Sequence, residues 1–474
     1  MYAAVGLTLS HYDAKAHLVV ARRILDSLTP SWEQIGAVWL PLPHVINALP
    51  VQVDFLYRTG AFAVAVSVAS FALAAACLAA IVLRLTRSTA GATLAAALFV
   101  ANPDVLYLQS TPMTEPLLFG LTALVVWYLT DWVLSDGVVV PRAAGWTMVA
   151  ACLTRYEAWP VVGAGIVVAG WAKWRRDTPR AVVAASLTRL VVYPVGAVIF
   201  FLLMSWITIG EWFVTGGFYV ADPTLQGRPL AVLDAILRGT TELGGGRLVV
   251  LAIGAIGGVL AVAIRWRAES ALALPLVFFA MGSLPFYAYL SGHPFRIRYE
   301  VPLVMASAAA VGLGVGRLRR AAPAAAIAVA AAVLSQVPPL DRTAPMIVEA
   351  QLDRANGEGR RAVTACLRRD YDGTTIMASM GALAHYMQEL SAEGFGIADF
   401  LHEGNGPLWT TAMSRGPASL AGWVLIEEVA EGGDVLFQRQ RHFPAFLKGY
   451  DRVCEGGHVS LYRRKLLPSN VFLH

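Results

Sequence analysis

Charge is the scarcest property of this sequence. Of 474 residues only 15% are Asp, Glu, Lys or Arg, while 57% are hydrophobic. A soluble domain usually carries about a quarter charged residues, so an ordinary soluble protein is excluded. Cysteine is scarce too, with four residues, and no CxxC, HExxH or zinc-ribbon spacing occurs. No phosphate-loop motif is present, and no internal repeat or low-complexity tail is visible. The net charge of +5 is no nucleic-acid signature, because much of the excess sits in short loops between apolar runs. Long apolar runs are absent after Pro338.

Between Ala61 and Pro338 such runs recur. A bilayer-spanning helix needs roughly 20 apolar residues, and the region has room for about ten. The expected spans are 61–83, 88–102, 116–134, 143–155, 158–173, 190–209, 247–264, 270–290, 300–316 and 321–338. The chain divides into a membrane domain, 1–339, and a smaller domain, 340–474, of ordinary soluble composition. In the latter, TTIMAS and WVLIEE read as strands. A helix is expected from Gly381 to Glu389, and a hairpin around Gly456-Gly457. The fold class is thus mainly α: a polytopic transmembrane helical bundle with a small C-terminal α/β domain.

Alternate loops are basic. They carry Arg84 and Arg87; Arg142; Lys173, Arg175, Arg176 and Arg180; Arg265 and Arg267; and Arg317, Arg319 and Arg320. The positive-inside rule makes that side cytoplasmic. Residues 1–60, the turn 102–116, Arg155 to Glu157, the loop 210–246, Ser291 to Glu300 and the C-terminal domain then fall outside. Cys366 and Cys454 could pair if their domain is extracytoplasmic. The lead MYAAVGLTLS is too short to span, so a first helix is expected to be missing upstream. Residues 16–28 and 44–57 read as interfacial helices of a first outer loop, with Leu18, Ala21, Leu25 and Leu28 on one apolar stripe. GAIGG at 254–258 matches a small-residue helix-packing pattern.

The unusual polar residues gather on the outer side, and ionisable groups at a membrane boundary are functional candidates. Asp13 and His17 share a helix face at i and i+4. This suits a local hydrogen bond, a catalytic acid, or a metal pair completed by Glu33 or His44. Asp104 and Glu115 flank another outer turn, where an acid also suits a helix N-terminus. Arg155 and Tyr156 precede Glu157. His293, Arg296, Arg298 and Tyr299 crowd a further outer end, as a headgroup-binding cluster or a phosphate clamp. Carboxylates and arginines on one face suit chemistry on a lipid-linked phosphate.

This arrangement resembles the GT-C superfamily of membrane glycosyltransferases. The resemblance is carried by an acid in a first outer loop, by Thr114-Glu115-Pro116 after Asn102-Pro103, by the Arg155-Tyr156-Glu157 run, and by the outer Arg298-Tyr299-Glu300-Val301-Pro302 pattern. Within it, bacterial relatives of dolichyl-phosphate-mannose–protein mannosyltransferases are most similar. The resemblance implies an inverting transfer from a polyprenyl-phosphate sugar to a hydroxyl of a lipid, glycan or protein, in the bacterial plasma membrane. It implies Asp13 and Glu115 as catalytic acids and Arg155 and Arg298 as phosphate contacts. Tyr156, Arg296, Tyr299, Lys15, His17, Glu33, His44 and Asp104 are expected to bind substrate around them. A divalent cation is an open question, because Tyr12-Asp13-Ala14 replaces the Asp-Glu doublet of many members. The alternative is a transporter or flippase of a lipid-linked or amphipathic solute, which more often places charges at mid-membrane and shows related halves.

Overall fold

A computed structural model describes residues 2–214 and 220–465. Residues 215–219 of the expected outer loop 210–246, and 466–474 of the expected second domain, lie outside the described residues. Each of the ten expected spans corresponds to a helical segment, but they are unequal. Six are long and apolar enough to cross a membrane: Ala61–Thr86, Glu115–Leu134, Arg180–Ile209, Gly246–Arg265, Arg267–Leu290 and Ile297–Gly316. The other four are shorter or less apolar: Thr89–Val100, Arg142–Cys152, Ala158–Arg175 and Ala322–Leu334. The second of the ten stops at Asn102-Pro103, where the proline ring disfavours helical geometry for the residue before it. Asn102 then caps the short helix Pro103–Leu108 through its side chain.

The helix Val301–Gly316 runs through the middle of the bundle with 15 of its 16 residues buried. Its small side chains allow close approach. A Cβ on Gly312 would lie 2.5 Å from the Ala95 Cβ, and one on Gly91 would lie 2.6 Å from the Gly312 carbonyl. The small-residue seam is therefore between Thr89–Val100 and Val301–Gly316. It is not at GAIGG: a Cβ on Gly254, Gly257 or Gly258 would meet nothing within 4 Å. Within that motif Ala255 makes the contact instead, against Gly314.

The C-terminal sheet has the order β2-β1-β3-β5-β4. Strand β1 (Ile376–Ala378) pairs parallel with β2 (Phe400–Leu401) and with β3 (Trp423–Glu427). Strand β5 (Val459–Arg464) runs antiparallel to β3 and forms the expected hairpin with β4 (Tyr450–Gly456). The expected helix is present as Met380–Leu390. Cys366 and Cys454 form a disulfide that ties the helix Arg354–Asp370 to β4.

The first sixty residues differ from expectation. The helix Tyr12–Arg22 does not present its stripe to a lipid surface. Leu18 and Ala21 are buried, and only Leu25 and Leu28, past the helix end, are exposed. Ala16, Leu18, Val19 and Ala21 join Leu383, Tyr386, Met387 and Leu390 in one core with the C-terminal sheet. The second expected interfacial segment is broken into Leu42–Ala48, Pro50–Gln52 and Asp54–Thr59. There Leu49, Val53 and Phe55 are exposed.

Charges fasten this junction. Lys15 Nζ lies 2.5 Å from Glu389. Arg360 donates to both Asp353 oxygens at 2.9 and 2.7 Å and to Glu389 at 3.0 and 2.8 Å. His385 approaches Asp353 at 3.6 Å.

Replacing Gly312 by leucine should overpack the seam and cost about 1–3 kcal/mol. Gly257→Leu, in open space, should cost far less. Thermal unfolding of the two purified variants in detergent checks the contrast.

Candidate active site

Two acid–arginine pairs form among the candidates. Asp13 begins the first helix, where His11 is the N-cap and its Nδ1 accepts the Asp13 N–H at 3.1 Å. The Asp13 carboxylate takes a hydrogen bond from Arg298, and both side chains are largely buried. Arg298 lies 5.4 Å from the Tyr299 ring, while its Nε is buried without a partner among the described residues.

Glu115 starts the helix Glu115–Leu134 and is fully buried. Arg155 reaches it at 3.0 Å, Glu157 at 2.6 Å and the Thr114 hydroxyl at 2.9 Å. The Glu115 oxygens take no well-aligned hydrogen bond among the described residues, so the group retains accepting capacity. One arginine thus faces two carboxylates, an arrangement suited to its planar fork.

His11 lies near the pairs. It lies within electrostatic reach of both Arg298 and Glu115. Because its Nδ1 accepts, its Nε2 holds the proton, and this faces Glu349 at 3.5 Å. Burial, the largest cause, lowers the His11 pKa. Burial pushes Glu349 the other way, but the His11 contact and the Arg298 charge win, and its carboxyl is held below the usual range. Neither His11 nor Glu349 was singled out by sequence. His11 sits at a cap position usually filled by Ser, Thr, Asp or Asn, and Glu349 is one acid in a charged segment without periodicity.

A second cluster begins one turn beyond Asp13. His17 Nδ1 is 3.2 Å from His44 Nε2, and Trp39 lies against His17 with ring centroids 4.1 Å apart. Arg155 is within electrostatic reach of His17. Arg296 is within the same reach of Glu349.

Other candidates are committed elsewhere. Lys15 points to Glu389, because its position on the helix faces the C-terminal domain rather than Asp13. Tyr156 donates to the Ala37 carbonyl at 3.3 Å and packs edge-on against Trp159 and Phe201. Glu33 is exposed on the turn Trp32–Ile35, and no hydrogen bond or ion pair joins its carboxylate to the others among the described residues. Asp104 accepts the Met346 N–H at 2.8 Å and fastens the segment that leaves the bundle. Among the described residues no group of three His, Cys, Asp or Glu is placed to hold a metal ion. An Asp13–His17 metal pair completed by Glu33 or His44, one of the readings open to that spacing, is not found among the described residues.

No protein-family model matches the chain. No curated protein matches it either. Solved structures do. ArnT from Cupriavidus metallidurans in the apo state superposes with a TM-score of 0.59 at 12% identity, over 97% of this chain and 96% of that one. The same protein bound to undecaprenyl phosphate gives 0.57 at 12%, over 97% and 95%. The fold is GT-C. Near-complete coverage of both chains extends this likeness through the C-terminal sheet as well as the bundle. The six apolar helices and this likeness make the chain an integral membrane protein.

Burial lifts the Asp104 carboxyl from 3.8 to about 7, with Asp341 and Glu349 adding to the rise. A carboxyl that keeps its proton longer in the folded state favours folding at low pH. Its contribution should be lost as pH rises from 3.8 to about 7. Asp104→Asn should flatten that slope, as read by thermal unfolding across pH. An unchanged slope would remove Asp104 as its source.

Proposed function

We propose that this protein is a membrane glycosyltransferase that moves a sugar from a polyprenyl-phosphate donor to a hydroxyl acceptor, with inversion, at the extracytoplasmic face. One observation carries the reading: the fold buries the Asp13–Arg298 and Glu115–Arg155 pairs, and His11 lies within electrostatic reach of Arg298 and Glu115. ArnT, the structural neighbour, binds undecaprenyl phosphate. The outward placement is supported by the basic loops at the opposite ends of the spans, and by the Cys366–Cys454 disulfide, which suits an oxidising compartment.

In this reading Arg298 and Arg155 receive the lipid phosphate. Arg298 is paired with Asp13 before the donor binds. A phosphate that takes Arg298 releases the Asp13 carboxylate. The acceptor oxygen then attacks the anomeric carbon while its proton passes to Asp13. The bond from the anomeric carbon to the phosphate oxygen breaks, and its electron pair leaves with the polyprenyl phosphate. The arginines stabilise the charge that develops there. Glu115, held by Arg155 with accepting capacity to spare, orients a substrate hydroxyl. The acceptor is a lipid, glycan or protein of the cell envelope. The transporter alternative gains nothing from this geometry, since the paired charges lie at the ends of spans.

Asp13→Asn should lower transfer about 10²–10⁴-fold in membranes supplied with a polyprenyl-phosphate sugar and an envelope acceptor. The same variant should bind bare polyprenyl phosphate more tightly, because Arg298 no longer has a carboxylate to leave. Glu115→Gln should also impair transfer. Wild-type rates in both variants would sink the assignment.

A further inference from the structure

The proton positions in the His17–His44 pair follow from their partners. His44 Nδ1 lies 3.1 Å from the Leu40 carbonyl, which can only accept, so that nitrogen carries the proton. Burial drives His44 down to about 3, so the ring is neutral and its Nε2 is bare. His17 Nδ1 faces that bare nitrogen at 3.2 Å and must donate to it. His17 is likewise held neutral, first by burial and then by the nearby His44, Arg155 and His11. One nitrogen remains: His17 Nε2 has a lone pair and no proton.

That nitrogen takes no hydrogen bond from the described residues, yet it is not among the fully enclosed unpartnered atoms. The residue as a whole is only 7% exposed. A nearly buried, acceptor-only atom is thus left open on one side. It sits four residues after Asp13, on the same helix face and about 6 Å further along the axis. Trp39 flanks it, and Trp39 also stacks on His44 at an interplanar angle of 14°. A bare nitrogen beside an indole face matches the two surfaces of a sugar ring, its O–H edge and its C–H face.

We propose that His17 reads the transferred sugar: its Nε2 accepts a hydrogen bond from a hydroxyl of the glycosyl group on the donor, with Trp39 beside the ring. This specificity role rests on the polyprenyl-phosphate donor reading above. The His44–Leu40 relay is the positioning part, since it holds the proton on His17 Nδ1 and leaves Nε2 accepting. A neutral acceptor favours a hydroxyl over a deoxy position, because the analogue leaves the nitrogen without a partner.

The test is equilibrium binding to the full chain in lipid nanodiscs. The probes are bare undecaprenyl phosphate and the same lipid carrying single hexoses or pentoses, each in fully hydroxylated and monodeoxy forms. The wild type is expected to prefer one glycosylated lipid over the bare one and over one of its deoxy forms. His17→Phe should reduce that preference roughly tenfold while bare-lipid affinity holds. His17→Gln, which can present an amide oxygen near the place of Nε2, should restore most of it. Three results would overturn the proposal: a wild type with no preference for any glycosylated lipid, an unchanged preference in His17→Phe, or a parallel fall in both affinities. Failure of the donor reading itself looks different. It would show as Arg298→Ala and Arg155→Ala binding bare undecaprenyl phosphate as tightly as wild type.

Discussion

The first helix depends on charges supplied from the far end of the chain. Lys15 meets Glu389, and Glu389 is shared with Arg360, which also holds Asp353. Arg360 is 2% exposed. Ions this buried gain little net stability from pairing, yet losing one partner is costly. The set therefore fixes position more than it adds stability. What it positions is Tyr12–Arg22, the helix that carries both Asp13 and His17. The apolar half of the same junction, from Ala16 to Ala21 against Leu383 to Leu390, supplies the burial that the charges do not.

A similar rule governs the ends of the spans that carry the candidate site. Asp13 is matched by Arg298, and Glu115 with Glu157 by Arg155. A guanidinium stays charged when buried and can face two carboxylates at once. Lysine would lose its charge more readily in such places. The site is thereby held by buried ion pairs, with Glu115 and Glu157 sharing one guanidinium. Glu300 follows a different course: it is buried and accepts from the Tyr289 hydroxyl at 2.9 Å, which anchors the turn carrying Arg298.

Hydropathy made the helical bundle legible, and turn signals made four of the five strands legible. Strand β2 has only two residues, too few for any alternation. The candidate acids and arginines stood out because charge at a membrane boundary is rare. Their pairing did not, since Arg298 and Asp13 are 285 residues apart and nothing local records that separation. The stripe Leu18-Ala21-Leu25-Leu28 shows the limit clearly. A period identifies an apolar face but not whether lipid or protein covers it, and here protein covers Leu18 and Ala21. GAIGG failed for the same reason, because small residues permit close packing without supplying a neighbour.

The Lys15–Glu389 contact spans 374 positions, and this has a consequence for biogenesis. The first helix emerges from the ribosome early, but the surface that buries it is made last. At about 5–20 residues per second, tens of seconds of synthesis separate the two. Through that interval Leu18, Val19 and the Asp13 carboxylate lack their final partners, and the bundle inserts beside an unfinished helix. Such long-range closure slows folding and leaves an apolar helix exposed to capture. Assembly of this protein is thus paced by the completion of its C-terminal sheet.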